Sequence, residues 1–231
     1  MIPKIIHHVW PGDDEFRPVF HEWRLSWMRH HPDWTFYFWR IDNLPKEFNP
    51  KALSIINNPL YSKTPKSDII RFEIVRLFGG TYVDTDVECL KNFDCFLNHS
   101  FFTGWESDDS TRLELQKLGH RTSDPRICPT LFGSEKNHDI LKDICNISVK
   151  NTEGLPPRKV NKHPELITSV QPFTDYLKDR KDEGLKIYGR EYFYPVGWWE
   201  RHRLTENTPN AFSKHYWYGK EPDGWTNKAV M

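Results

Sequence analysis

The chain has 231 residues, equal numbers of Lys+Arg and Asp+Glu (32 each), and 15% aromatic residues. Zero formal charge excludes nucleic-acid recognition by bulk charge, and no apolar run approaches the ~20 residues of a bilayer span, so membrane contact is at most peripheral. The length suits one α/β domain over 1–231, and Cys89, Cys95, Cys128 and Cys145, with no CxxC pair and no apolar leader, read as reduced thiols of a cytoplasmic protein.

Residues 3–10, rich in Ile and Val, predict a strand that carries His7 and His8 and ends on Trp10. Pro18 opens a helix in which Phe20, Trp23 and Trp27 fall at i, i+3 and i+7. Bulky groups alternate over 34–39 as in a strand, and a short helix follows over 50–57. Thr64 as N-cap and Pro65 at the first helical position start a helix over 65–78. Its Ile70, Ile74, Leu77 and Phe78 form a core-facing stripe, and Gly79-Gly80 stops it. Strands are predicted over 81–87 and 101–105, and a helix over 137–149 with Ile140, Leu141, Ile144 and Ile147 inward. Segments 106–126 and 150–164 read as exposed irregular loops, either acceptor-contacting or plain variable surface. There is no internal repeat. Strands alternating with helices predict a mostly parallel central sheet flanked by helices, with ligands at the carboxyl ends of strands.

Trp10, Asp84 and Asp86 all fall at such ends. Along a strand, residues i and i+2 point to the same side, so Asp84 and Asp86 are expected to present two carboxylates on one face. Like charges that close repel unless a divalent cation or a shared proton neutralises them. Oxygen ligands of this kind suit Mg²⁺ or Mn²⁺, which bind through one or two carboxylates plus the phosphates of a substrate. One turn separates Asp68 from Arg71, so the two can share a helix face, either as a surface ion pair or as a hydroxyl acceptor and a phosphate donor beside the metal. Trp198-Trp199-Glu-Arg201-His-Arg203 reads as a packed aromatic pair with solvated arginines, or else as a contact for an acceptor sugar, a lipid phosphate or a membrane surface.

Ser67-Asp68-Ile-Ile-Arg71, followed by Phe78-Gly79-Gly80-Thr-Tyr82-Val-Asp84-Thr-Asp86-Val87, resembles the signature of family 32 glycosyltransferases. These are DXD-containing sugar transferases related to the yeast initiating mannosyltransferase and, more distantly, to the clostridial glucosylating toxins. Ile2-Pro3-Lys4-Ile5-Ile6-His7-His8-Val9-Trp10 is similar to that family's first strand, and His215-Tyr-Trp217-Tyr-Gly219 with Trp225 looks like its ending. The likeness is tight over residues 2–10 and 62–90 and loose from about 125 to 225; Gln171-Pro172 stands where members often show Gly-Pro.

The resemblance implies a GT-A-type nucleotide-diphospho-sugar transferase fold. It also implies metal-dependent, retaining transfer of a hexose or N-acetylhexosamine from a UDP- or GDP-linked donor. The acceptor would be a glycan or lipid-linked glycan, as in surface polysaccharide biosynthesis at the cytoplasmic face of a membrane. On that reading Mn²⁺ or Mg²⁺ is held by Asp86 and Asp84, with His215 completing the shell. Arg71 is a donor to phosphate or sugar, Asp68 accepts sugar hydroxyls, and Trp10 borders the nucleotide. Two other classes stay open at this point: a haloacid-dehalogenase-like phosphatase, whose sites also follow an apolar strand with Asp-x-Asp, and a non-catalytic carbohydrate-binding protein built on the aromatic residues.

Overall fold

The computed structural model describes residues 1–12, 15–117 and 125–218. The first half holds β1 (Ile5–Val9), α1 (Pro18–His30), β2 (Thr35–Trp39), α2 (Pro50–Asn57), α3 (Lys63–Phe78), β3 (Gly80–Val83) and β4 (Val87–Cys89). Then come β5 (Phe101–Ser107), α4 (Asp109–Lys117), β6 (Arg126–Ser134), α5 (Asp139–Glu153), α6 (Pro157–Lys162) and α7 (Pro164–Ile167). The chain continues through α8 (Val170–Leu177), β7 (Leu185–Tyr188), α9 (Arg190–Phe193) and β8 (Ser213–His215).

Six strands form one sheet in the order β2-β1-β3-β6-β5-β7. β1 runs parallel to β2 and β3, β5 runs parallel to β7, and β6 is antiparallel to both of its neighbours, so it alone opposes the common direction. β4 and β8 pair separately as an antiparallel ribbon. Side chains of neighbouring residues alternate across the main sheet. Tyr82, Phe101 and Phe132 enter the core shared with α2, α3, α5 and α8, whereas Val83, Phe102 and Leu131 enter the opposite core with Trp27, Phe93 and Phe193. Much of the aromatic content is therefore structural. Cys89, Cys128 and Cys145 are buried and none of the four cysteines is in a disulfide, with burial raising Cys89 and Cys145 above the usual thiol range.

Several predicted elements are redrawn. α3 begins at Lys63 with Ser62 as the N-cap, so Thr64 lies inside the first turn instead of capping it. The helix is also not one-sided: residues 68–75 are all buried, including Asp68, Arg71 and Glu73, because α2 and α5 cover its outer surface. Glu73 accepts the N–H of Asn49 at 2.9 Å, closing the start of α2, and pairs with Arg76. The strand expected over 81–87 breaks after Val83, and Asp84–Asp86 form a turn closed by Val87 N–H to Asp84 C=O at 3.3 Å. The segments read as loops contain α4, the end of α5, and α6. β6 has no counterpart among the predicted strands, although it is the centre of the sheet. Of the predicted inward stripe of α5, Ile140, Leu141 and Ile144 are buried, but Ile147 is only partly so, and Ser148 and Val149 take the inner face beyond it. Gln171 lies in the first turn of α8 and donates to Asp175 at 3.0 Å.

The junction of α3 with β3 requires glycine. Gly80 has φ +99°, and a Cβ there would lie 2.7 Å from the Ile5 carbonyl oxygen in the adjacent strand. Backbone cannot swing aside as a side-chain tip can, so Gly80→Ala is expected to cost roughly 3 kcal/mol or more from strain plus overpacking. A urea midpoint equal to wild type would contradict this.

Two histidines brace the strands beneath the site. His7 Nδ1 accepts from Trp39 Nε1–H at 3.0 Å, which places its proton on Nε2, and that N–H donates to the Gly79 carbonyl at 2.8 Å. His8 Nδ1 donates to the Val83 carbonyl at 3.0 Å, directly before Asp84. Burial pushes His7 down to about 4 and His8 down to about 3 from the usual 6.5. Unfolding restores 6.5, so below that pH the unfolded chain binds the extra protons. The stabilisation is complete above pH 6.5 and is lost as pH falls toward 4, at about 1.4 kcal/mol per pH unit for each histidine. Urea unfolding at pH 7.5, 6 and 5 measures it; His7→Gln, which keeps an acceptor and a donor, should flatten the slope.

Candidate active site

The candidate side chains converge where β1 and β3 end and α3 begins, with His215 brought in by the β4–β8 ribbon. A cavity of about 310 Å³ is lined there by Trp10, Arg17, Ser67, Arg71, Asp84, Asp86 and Tyr218, among others. A larger cavity of about 800 Å³ shares Pro11, Gly12, Lys63 and Thr64 with it and extends along Arg40–Asp42 and Tyr61–Lys66. The two make one cleft across the carboxyl ends of the parallel strands, the place where open α/β sheets bind ligands.

Asp84, Asp86 and His215 each offer a ligand atom within 4.8 Å of the others. Asp84 and Asp86 do lie side by side, but the carboxylates come together because the chain turns at Thr85, not because it stays extended. His215 arrives from 129 positions away, since β8 pairs with β4 in a register that sets His215 opposite Val87. The ribbon is in turn pinned to α1 by Trp27 Nε1–H to Val87 C=O at 2.8 Å and by Cys89 N–H to Ser26 Oγ at 2.8 Å.

The two carboxylates have different surroundings. Asp86 accepts the Tyr218 backbone N–H at 2.8 Å and lies 3.1 Å from His215 Nε2. Burial acts to raise its carboxyl, but the imidazole and these hydrogen bonds prevail and hold it below the usual range. Asp84 receives the Tyr82 hydroxyl and sits 3.4 Å from Arg71 Nη1. Burial raises Asp84 above the usual range, and the charge of Asp86 adds to the rise while Arg71 opposes it. A pair of carboxylates in this condition is relieved by a further positive charge between them.

Arg71 is the hinge of the cluster. It pairs with Asp68 at 2.8 Å and with Asp84, donates to the Pro129 carbonyl at 3.1 Å, and lies over the Tyr82 ring at 4.9 Å. Asp68 is 1% exposed and does not line the cavity; its second oxygen takes the Thr168 hydroxyl at 2.6 Å. The ion pair is therefore buried, not on the surface. Burial raises the Asp68 carboxyl even against Arg71 and Thr168. Trp10 closes the other side of the cavity, edge-on to Phe16 at 5.3 Å and Phe20 at 5.5 Å.

Tyr82, Thr168, Arg17 and the backbone of Tyr218 were not singled out from sequence. Tyr82 and Tyr218 stand inside the two motifs, but no sequence signal links Thr168 to Asp68 across 100 positions. Gly219 and Trp225 lie outside the described residues. The Trp198–Arg203 cluster is taken up locally: Trp198 and Trp199 pack edge to face at 5.7 Å, and Arg203 pairs with Glu200 and Glu206.

Residues 20–103 match the family model of a glycosyltransferase sugar-binding region containing a DXD motif. An uncharacterised glycosyltransferase, L373, of Acanthamoeba polyphaga mimivirus is 32% identical over 202 residues, spanning 84% of this chain and 74% of the viral protein. Inositol phosphoceramide mannosyltransferase 3 of Schizosaccharomyces pombe is 26% identical over 150 residues, or 62% of this chain, which spans only 36% of that enzyme. Among solved structures, the PaToxG glycosyltransferase superposes with a TM-score of 0.54 at 15% identity, covering 76% of this chain and 69% of that one, a likeness of fold. The chain belongs to the DXD-motif glycosyltransferases and is an enzyme of that family with a GT-A fold.

Proposed function

We propose that the 231 residues act as one catalytic domain that moves a hexose or N-acetylhexosamine from a UDP- or GDP-linked donor to a glycan acceptor with retention, assisted by Mn²⁺ or Mg²⁺. The observation that carries the reading is the convergence of Asp84, Asp86 and His215 within 4.8 Å beside Arg71 in the cleft. Two carboxylate oxygens and an imidazole nitrogen are a fitting donor set for Mn²⁺. When bound, such an ion neutralises negative charge on the departing nucleoside diphosphate.

The protein's own groups divide the remaining work. Asp86 and His215 are held in register by the β4–β8 ribbon, and Asp84 is oriented by Tyr82 and Arg71. Arg71, a lining residue held by Asp68, Asp84 and Pro129, is assigned as the fixed donor to phosphate or sugar oxygen, a preorganised charge in a partly desolvated place. Asp68 is given a positioning role in place of the hydroxyl-acceptor role expected from sequence, because Arg71 and Thr168 occupy its oxygens. Trp10 borders the nucleotide. The step breaks the anomeric C–O bond to phosphate, forms one to the acceptor oxygen, and passes the acceptor proton to the leaving diphosphate. Among the described residues, Asp84 and Asp86 are the carboxylates lining the smaller cavity and Asp42 lies further along the cleft; with the first two assigned to the metal, the front-face route is proposed over a covalent glycosyl-enzyme.

A lipid-linked acceptor accords with the Schizosaccharomyces pombe relative, an inositol phosphoceramide mannosyltransferase, and surface glycan synthesis at the cytoplasmic membrane face is part of the same proposal. Among the described residues no helix is long and apolar enough to cross a membrane. The test is release of nucleoside diphosphate from a panel of nucleotide sugars with Mn²⁺, scored separately from inorganic phosphate, for wild type and Asp86→Ala. Metal-dependent diphosphate release from one donor, lost in the variant, is expected. Release of inorganic phosphate instead, or a glycosyl adduct trapped on another Asp or Glu, would overturn the mechanism.

A further inference from the structure

α6 is six residues long, and its core contact is Val160; Arg158 and Lys162 lie one turn apart on the opposite side, with Lys159 beside them, all exposed. Exposed cations elsewhere often face a carboxylate, as Lys4 does Asp33, Lys51 does Glu153 and Lys142 does Asp139. Among the described residues none of the three α6 cations has such a partner. The one acid between residues 155 and 168 is Glu165, which faces His163 at 3.6 Å. In a chain with equal acid and base totals this is a local concentration of unmatched charge.

The helix is fastened to the mouth of the cleft. Asn161 donates to the Leu60 carbonyl at 2.8 Å and accepts the Ser62 N–H at 2.8 Å, so α6 lies against the turn that starts α3. That turn exposes Leu60, 67% accessible, and the next helix exposes Leu166, 46% accessible, two of the most exposed large apolar side chains among the described residues. Lys66, one turn into α3, lines the adjoining cavity. Exposed basic side chains and exposed leucines on adjoining segments match the chemistry of an anionic bilayer surface: cations meet lipid phosphates, and apolar tips enter the interface. A soluble polyanion would use the cations and leave the leucines in water.

We propose that the α6 face, comprising Arg158, Lys159 and Lys162 with Leu60 and Leu166, docks on an anionic lipid bilayer and sets the mouth of the cleft against it. The contact extends the proposed lipid-linked acceptor reading, but the docking itself is measured without donor or acceptor. The experiment is co-sedimentation of the full chain with vesicles of phosphatidylcholine alone or with about 30% phosphatidylglycerol, at low and high salt. Binding to the anionic vesicles alone, weakened by salt, is expected. At roughly fivefold per basic residue, the combined Arg158→Gln, Lys159→Gln and Lys162→Gln variant should bind about 100-fold more weakly. Leu60→Ser with Leu166→Ser should lose about fivefold through the apolar contact.

Circular dichroism shows whether each variant is folded. Mn²⁺-dependent nucleotide binding, measured on the same samples, reports the transferase reading separately, so either can fail without the other. Absence of vesicle binding, equal binding to neutral vesicles, or a triple-glutamine variant that binds like wild type would overturn the proposal. So would dextran sulfate binding as tight as vesicle binding and indifferent to the leucine changes, which would make the face a polyanion site.

Discussion

Asp86→Ala is expected to lower diphosphate release from the preferred donor by roughly a thousandfold, the loss of several kcal/mol of charge stabilisation at the leaving group. The size follows from what Asp86 joins. Its carboxylate stands between His215 Nε2 and the Tyr218 N–H, and its backbone carbonyl accepts Tyr216 N–H at 2.9 Å, so it ties the turn to the chain beyond β8. His215→Ala should cost less, on the order of 10- to 100-fold, because two carboxylates remain, and part of the loss should return at higher Mn²⁺. A metal titration of initial rate for the three proteins separates the effects. An Asp86→Ala enzyme within tenfold of wild type, with an unchanged Mn²⁺ dependence, would remove Asp86 from the metal site.

Arg71→Met should be the most damaging single change to stability near the site, about 3–5 kcal/mol. The guanidinium sits between Asp68 and Asp84, both carboxylates already raised by burial, and methionine fills much of its volume but leaves them uncompensated. Adding Asp68→Asn should recover part of that loss, because it removes one stranded charge, and the double-mutant cycle gives the coupling. Activity should not return with stability, since the donor aimed at the cleft is still missing. Urea unfolding and diphosphate release measured on the same preparations decide it. Arg71→Met as stable as wild type would show that the two carboxylates are neutralised by other means. Recovery of activity in the double variant would show that Arg71 acts only by holding Asp68.

The two short motifs, residues 2–10 and 62–90, were legible as chemistry because their meaning is local. A glycine pair stops a helix, an apolar strand follows, and acids at i and i+2 are neighbours in either an extended strand or a turn. That tolerance explains why the carboxylates of Asp84 and Asp86 lie close together although the strand ends at Val83. The burial of α3 was not legible in the same way. Its charged positions suggest a solvated face, yet Asp68, Arg71 and Glu73 are all enclosed, each with partners on distant segments: Thr168, Pro129 and Asn49. Sequence periodicity reports which side chains prefer water, and here ion pairing removed that preference.

β6 is central yet has no periodic signature, because it is covered on both faces and so lacks the alternation that marks a half-exposed strand. Helices α4 and α6 are hard to tell from loops for the opposite reason: they are short and mostly polar, and tertiary contacts define them more than propensity does. The identity of the sugar-transferase motif, the carboxylate pair and the glycine stop were thus determined by the amino-acid order alone, through contacts only a few residues long. Which histidine among 11 meets those carboxylates, and whether Asp68 faces ligand or Arg71, was decided by strand register and helix packing across 100 positions or more. Pairing of that range depends on the whole sheet closing, and no local preference encodes it.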